Sequence, residues 1–258
     1  MNYKHATVAT SFLSILLAGC GGGSGDSTAP VTPPVVATSA EGVYEGTISN
    51  AAVHYTVVLE NQQFYTLFGA PLVGGGLIVG GFIQGSGKLD NGNMTSTDLK
   101  EFVADGTVLS GTLNTKYVPK TSLNGTVTEG PIEYKFVGST TLTNSTYSYD
   151  ASAKLANVVG SWNLTDLLGK PVTLNVAANG GFTGSSNGCS FSGAMKPRAS
   201  GKNIFDFSLT FGAAPCSLAG QGASGIAVEY PLSNGRRQLL VAGTDTSRNH
   251  GTAFLGIR

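Results

Sequence analysis

The chain has 258 residues, of which 37 are glycine and only 12% are charged. Fifteen basic and fifteen acidic side chains cancel to a formal net charge of zero, so the chain lacks the positive excess that attracts nucleic acid or anionic lipid. Hydrophobic residues make up 41% of the chain, which is too many for a mostly disordered protein. The abundance of Gly, Thr, Ser and Val over Glu, Lys and Arg predicts an all-β fold.

The first 19 residues have the organisation of a secretory signal peptide. Lys4 precedes a mostly apolar run over residues 6–18, which is shorter than the roughly 20 residues that span a bilayer core. The run ends in Leu17-Ala18-Gly19-Cys20, which resembles the lipobox of bacterial lipoproteins. This resemblance implies cleavage before Cys20 and acylation of its thiol. A plain secretory signal with an incidental cysteine is the alternative.

The same resemblance implies a location. An aspartate directly after the lipidated cysteine favours retention in the inner membrane of Gram-negative bacteria, and this chain has Gly21 there, so we expect the outer membrane. Residues 20–40 combine the lipidated cysteine with a Gly- and Pro-rich stretch, which predicts a tether. Since two or three acyl chains of the palmitate type hold a protein stably, we expect the anchor to be the lipid alone.

From Glu41 onward, short β-branched and aromatic runs alternate with turn signals about every ten residues, as is typical of antiparallel barrels and sandwiches. The best helical candidates are the short segments 96–103 and 151–158. The turn signals lie at 61–62, 74–76, 90–92, 105–106, 118–120, 129–131, 179–181, 200–203, 214–215, 233–235 and 248–251.

The two halves of this region are similar to each other. A shift of 118 residues aligns 42–64 with 160–182 without a gap, and Tyr44 then meets Trp162. Five aligned positions are identical, namely Gly42/Gly160, Thr47/Thr165, Val58/Val176, Asn61/Asn179 and Phe64/Phe182. The repeat predicts two tandem small antiparallel β-barrel or sandwich domains, at residues 41–148 and 149–258, each large enough for a core of its own.

Two segments of the second half resemble families of small β-barrels. Gly160-Ser161-Trp162 resembles the Gly-x-Trp of lipocalin-like barrels, in which the tryptophan closes the barrel bottom. The segment 188–193 together with Cys216 resembles the META-domain family of small bacterial β proteins. The lipocalin-like resemblance implies an apolar barrel interior that carries a small hydrophobic molecule, and no functional residue is carried over from either family.

Cys189 and Cys216 are the thiols that remain once Cys20 is acylated. An even pair in an oxidising compartment predicts a disulfide, which here closes a loop of about 27 residues. A redox or metal-binding pair is the alternative reading. It lacks both CxxC spacing and a neighbouring histidine.

Two enzyme motifs occur without the context that they require. Residues 184–188 fit GxSxG and residues 220–225 fit GxGxxG, but both run into segments that read as strands instead of helices. A triad of Ser186, Asp245 and His250 can be written down, yet nothing in the sequence brings its members together.

The remaining ionisable side chains give no catalytic or metal signature. His54 lies in an alternating strand, and the carboxylates are scattered, with Asp98 and Glu101 three residues apart. We therefore expect a protein that is not an enzyme, with no cofactor, no metal and no nucleic-acid partner.

Three functions remain open at this stage. The leading one is a non-catalytic binding or structural role for an outer-membrane lipoprotein, with a protein or envelope component as its partner. The alternatives are a carrier of a small hydrophobic ligand in a lipocalin-like barrel and an inhibitor of an envelope-attacking enzyme. We interpret the apolar segment 72–84 as a loop that leads into a buried barrel strand; an exposed edge awaiting a partner is the other reading.

Overall fold

The structure is a computed structural model that describes residues 39–71 and 77–258. The signal peptide, Cys20, most of the tether and the turn signal at 74–76 lie outside this part of the chain. Seventeen β-strands and one 3-10 turn, Leu155–Asn157, make up its regular structure. None of the described residues belongs to a helix long and apolar enough to cross a membrane. The expected all-β fold is confirmed.

The first barrel is a meander in which strands that follow one another in sequence pair antiparallel. Strand β4 reaches past the short β5 to pair with β6, and β9 returns to pair with β1, so that eight strands close the barrel. The strands are β1 (Gly42–Ile48), β2 (Val53–Val58), β3 (Gln63–Pro71), β4 (Leu77–Ser86), β5 (Lys88–Asp90), β6 (Asn93–Val103), β7 (Val108–Val118), β8 (Ser122–Glu129) and β9 (Ile132–Ser139).

The second barrel repeats this plan with eight strands and no additional one. Each strand pairs with its neighbour in sequence, and β17 closes the barrel against β10. The strands are β10 (Gly160–Asp166), β11 (Pro171–Val176), β12 (Gly181–Ser186), β13 (Cys189–Pro197), β14 (Phe205–Phe211), β15 (Gly222–Pro231), β16 (Arg237–Thr244) and β17 (Gly251–Ile257).

The hairpin turns lie where the sequence predicts them. Every turn signal within the described residues falls at the junction of two consecutive strands. At the junction of β5 and β6, Asn91 and Gly92 have φ of 45° and 81°, the left-handed conformation that an Asn-Gly pair adopts readily. The turn signals therefore mark most of the connections between consecutive strands.

The two helical expectations fare differently. The one for residues 96–103 is wrong, since this segment belongs to β6. A bulge between Ser96 and Leu99 shifts the register there, so the inward positions are three residues apart and imitate a helical period. Of the segment 151–158, only Leu155–Asn157 is helical, as the single 3-10 turn.

The internal repeat is a repeat of structure, because the same offset relates the strand registers of the two barrels. Gly42 opposes Val58 across β1 and β2, and Gly160 opposes Val176 across β10 and β11. Each of these residue pairs is thus related to the other by 118 positions. The first two strands of each barrel therefore form equivalent hairpins.

The aligned aromatic residues also play the same part. The Tyr44 hydroxyl donates to the carbonyl oxygen of Ala40 at 2.8 Å, and Trp162 Nε1 donates to that of Val158 at 2.7 Å. Both rings are fully buried, and each donates its hydrogen bond to a carbonyl four residues earlier in the chain. Each fixes the entry of the chain into the first strand of its barrel.

The interior of the second barrel is packed with its own aromatic side chains. Phe182 stacks on Phe207 and Phe191 on Phe254, with ring centroids 5.4 and 5.5 Å apart. At the end where β10 begins, the Arg258 guanidinium lies 3.9 Å from the centroid of the Trp162 ring. The tryptophan is fully buried at this end of the barrel.

A shared apolar cluster joins the two barrels. The outer faces of β2 and β3 pack against those of β15 and β16, so these four strands are buried on both faces. Ion pairs of Arg198 with Glu60 and of Arg248 with Asp98 also connect the barrels. The cluster includes Tyr55, Tyr65, Leu67, Ile226, Val228, Tyr230 and Leu240.

The described part of the apolar segment 72–84, residues 77–84, belongs to strand β4 and is largely buried. Phe82 is fully buried and stacks on Phe102 of β6, and Ile83 faces the interior of the first barrel. Ile78 is the exception, with 60% of its surface exposed. The interpretation as a buried strand therefore holds for the described residues apart from Ile78, since Leu77 at the start of β4 is also buried.

Candidate functional site

The interior of the first barrel contains a cavity of about 100 Å³. All eight barrel strands contribute to its walls, which are mainly apolar and aromatic. Its mouth is at the end where the turns between β1 and β2 and between β8 and β9 lie, beside the exposed Asn50 and the half-buried Tyr134. The apolar walls include Phe64, Phe68, Leu99, Leu113, Val127 and Phe136.

The size of the cavity decides what fits inside. A single water needs roughly 10–15 Å³, whereas an engineered apolar cavity of about 150 Å³ binds benzene. The cavity in the first barrel lies between these values, so it has room for a molecule about as large as a short alkyl chain. Eight-stranded barrels are of the width that is either filled by side chains or holds one small ligand.

A chain of hydrogen bonds runs from β2 to β3 along one wall of the cavity. His54, 1% exposed, places Nε2 2.9 Å from the carbonyl oxygen of Val137 and Nδ1 3.0 Å from the Thr56 hydroxyl. A carbonyl only accepts, so Nε2 carries the hydrogen. Burial lowers the pKa of His54, and Nδ1 of the neutral ring therefore accepts from Thr56, whose oxygen accepts from Thr66 at 2.8 Å.

Two buried carboxyl groups lie at the level of the mouth, on β6 and β8. Glu101 lines the cavity and is 9% exposed, and its neighbour Glu129 is 8% exposed. Burial, together with a hydrogen bond to Glu129 and its negative charge, raises the pKa of Glu101 to about 8. At pH 7 the Glu101 carboxyl group is therefore mostly protonated.

Neither carboxyl group has a cation beside it among the described residues. None of the ion pairs formed within residues 39–71 and 77–258 includes Glu101 or Glu129. The Oε1 atom of Glu129 is buried and has no hydrogen-bond partner in this part of the chain. Buried carboxyl groups normally have partners, so this arrangement is typical of a binding site.

Local strand geometry aims both side chains inward. Along β8, Leu123, Val127 and Glu129 alternate with outward residues and face the interior. On β6, the bulge before Leu99 brings Leu99 and Glu101 inward in the same way. The pair is not predictable from local sequence patterns, because the two residues are 28 positions apart. The signal that could have found it is an acidic residue in phase with the apolar face of its strand.

The predicted disulfide is confirmed. Cys189, at the start of β13, is bonded to Cys216, in the loop between β14 and β15, with an S–S distance of 2.01 Å. The bond lies in the second barrel, away from the cavity of the first. Cys20, the predicted lipidation site, lies outside the described residues.

The enzyme motifs are parts of β-hairpins. In the GxSxG match, Asn187 and Gly188 form the turn between β12 and β13, with φ of 54° and 83°. In the GxGxxG match, residues 222–225 belong to β15.

The members of the possible triad are only partly brought together. The structure brings His250 Nδ1 to 3.5 Å from Oδ2 of Asp245, within the turn that follows β16. Ser186 ends β12 opposite Cys189 and, within the described chain, forms no hydrogen bond to either of them.

The cavity of the first barrel is the candidate functional site, since it combines apolar walls, buried polar side chains and the buried Glu101 carboxyl group. Within the described ranges, no group of three or more His, Cys, Asp or Glu side chains could hold a metal ion. The chain matches no protein-family model and no curated protein sequence.

Proposed function

We propose that this protein is an outer-membrane lipoprotein that has no catalytic role and whose first barrel binds a small molecule with an apolar body. The observation that carries the proposal is the cavity of about 100 Å³ inside that barrel. The second barrel supports the first, because its own interior is packed and its outer face covers β2 and β3. The Gly-x-Trp resemblance suggested a carrier barrel around Trp162, whereas the cavity lies in the other barrel.

The cavity is tested by filling it. Val127→Phe places a larger ring into the cavity from β8, whereas Thr126→Phe adds the same ring to the outward face of the same strand. We expect n-butanol to shift the NMR signals of cavity-lining residues saturably in the wild type and in Thr126→Phe, and the response to be lost in Val127→Phe. Wild-type protein that is folded and unaffected by n-butanol would overturn the proposal.

The anchor is tested at Cys20. We expect the wild-type protein to fractionate with membranes and to carry acyl chains on its N-terminal cysteine in mass spectra. Cys20→Ser blocks acylation and should leave the protein in the soluble fraction, because the neutral chain has no charge excess to hold it on the membrane. A soluble wild-type protein with an unmodified cysteine contradicts the anchoring part of the proposal.

A further inference from the structure

The chain of hydrogen bonds along the cavity wall has a direction that its geometry determines. The carbonyl oxygen of Val137 can only accept, so the Nε2 atom of His54 carries a hydrogen. At pH 8, above the ordinary histidine pKa of about 6.5, the ring is neutral and has only this one hydrogen. Nδ1 therefore offers a lone pair, and it accepts from the Thr56 hydroxyl at 3.0 Å.

The same reasoning determines the direction of the next hydrogen bond. A hydroxyl group has a single hydrogen, and Thr56 gives its hydrogen to His54. The hydrogen bond of 2.8 Å between Thr56 and Thr66 therefore uses the hydrogen of Thr66. Each hydroxyl oxygen has two lone pairs, and the chain uses one on Thr56 and none on Thr66. Both hydroxyl groups can still accept a hydrogen, but neither has one left to donate.

These two acceptors belong to the wall of the cavity. Side chains alternate between the two faces of a strand, and His54, Thr56 and Thr66 all line the cavity. Tyr55 and Tyr65 point the other way, into the cluster shared with the second barrel. The chain of hydrogen bonds thus lies on the interior faces of β2 and β3.

The surroundings of the Thr66 hydroxyl are apolar. On the inward face of β3, Thr66 lies between Phe64 and Phe68, and it is opposite Ile83 of β4. A ligand group that accepts but does not donate would meet only lone pairs at this hydroxyl, so its loss of hydration would not be compensated. A ligand that complements this wall has an apolar body and supplies a hydrogen.

We propose that the cavity of the first barrel binds a small neutral alcohol, whose hydroxyl group donates its hydrogen to Thr66 Oγ1. This inference rests on the proposed function, since it assigns a chemical class to the ligand of the same cavity. The aliphatic part of the alcohol lies against the phenylalanine side chains of β3. A ketone of the same size has no hydrogen to donate, so the site distinguishes alcohols from ketones.

The test compares two probes with the same carbon skeleton, sec-butanol and butanone, by NMR titration of the full mature chain at pH 8. We expect sec-butanol to bind to the wild type at least about tenfold more tightly than butanone.

Thr56→Val tests the direction of the chain. This change removes the acceptor of the Thr66 hydrogen, so the Thr66 hydroxyl becomes free to donate to a carbonyl oxygen. Butanone should then bind more tightly and the preference for the alcohol should fall to within about threefold, while sec-butanol binds as before and so reports an intact cavity. Thr126→Val makes the same replacement on the outward face of β8 and should keep the full preference.

The tautomer of His54 gives a second readout, which needs no variant. Long-range hydrogen–nitrogen NMR correlations of the wild-type ring at pH 8 identify the nitrogen that carries the hydrogen. We expect a hydrogen on Nε2 and none on Nδ1. A hydrogen on Nδ1 would overturn the inference, because both hydroxyl groups would then donate in the opposite direction and Thr66 would be a donor.

Each outcome of the titrations decides between the proposals. If both probes bind the wild type equally well, the inference of an alcohol is overturned and the apolar cavity stands. If neither probe binds the folded wild type, the proposed function fails and the inference with it. If the preference for sec-butanol survives undiminished in Thr56→Val, the chain of hydrogen bonds does not select the ligand and the inference is overturned.

Discussion

Glu101 shows how a single buried side chain makes stability depend on pH. Its carboxyl group has a pKa of about 8 in the folded chain, against an ordinary value of 4.5. Between these values the folded protein holds a proton that the unfolded chain releases. The free energy of unfolding therefore decreases as the pH rises from about 4.5 to 8. Above pH 8 the titration of Glu101 lowers it no further. The acidic pair thus costs stability that a purely structural core would not lose.

We predict that Glu101→Gln stabilises the protein more at alkaline than at acidic pH. The neutral amide keeps a donor for Glu129 but has no proton to lose, so its advantage over the wild type should grow by on the order of 1–3 kcal/mol between pH 5 and 8.5. Urea denaturation at both pH values measures it.

The titration of His54 does not disturb this comparison. Because the pKa of His54 is lowered, its titration makes the free energy of unfolding rise with pH below pH 6.5. This rise is the same in the wild type and in Glu101→Gln, so it cancels from the difference between them. A difference in stability that does not change with pH would show that Glu101 titrates normally.

At the scale of elements, the disulfide fastens the loop between β14 and β15 to the start of β13. It closes a loop with a sequence separation of 27 residues. Chain entropy predicts that Cys189→Ser with Cys216→Ser lowers the free energy of unfolding by about 3.5 kcal/mol. The double variant avoids leaving one free thiol, and guanidinium denaturation of oxidised wild type and variant measures the difference. A change below about 1 kcal/mol would mean that the loop is held by other contacts.

The strands were predictable from sequence because local chemistry determines them. Turn pairs such as Asn91-Gly92 define the hairpins, and the match of Tyr44 with Trp162 identifies equivalent first strands. Segment 96–103 could not be predicted, since a bulge depends on pairing with β7 and leaves no period of its own.

The candidate site was much less predictable than the strands. Glu101 and Glu129 come together only when eight strands close, and the sequence contains no local signal for closure. Likewise, Ile78 looks as apolar as Phe82 in the sequence, yet one is exposed and the other buried. Their difference depends on tertiary packing, since Phe82 lies in the cluster shared with the second barrel and Ile78 does not.

At the scale of the whole molecule, the shared cluster couples the two barrels. Tyr230 of β15 is fully buried in it, with its ring 5.9 Å from that of Tyr55 on the first barrel, and its hydroxyl has no hydrogen-bond partner among the described residues. Neither barrel exposes this face in the structure. Loss of this contact should therefore destabilise both barrels.

We predict that Tyr230→Ala lowers the free energy of unfolding of both barrels, by about 3–5 kcal/mol in total, because it leaves a cavity in the shared cluster. Tyr230→Phe should be as stable as the wild type or slightly more stable, since it removes only the unpaired hydroxyl. Trp162 is the single tryptophan, so its fluorescence follows the second barrel, while NMR signals of Val127 follow the first. Unchanged unfolding of the first barrel in Tyr230→Ala would contradict the coupling.

The meander topology has a consequence for how the chain folds. Nearly every strand pair is a local hairpin, but each barrel also needs one pairing between its first and last strands, β1 with β9 and β10 with β17. Hairpins form in microseconds, whereas contacts distant in sequence are slow because loop entropy is lost before they form. During synthesis from the N-terminus, the first barrel can therefore close only after residue 139 has emerged, and the second only after β17 has emerged. A chain interrupted before β17 would leave two open sheet edges exposed to other chains.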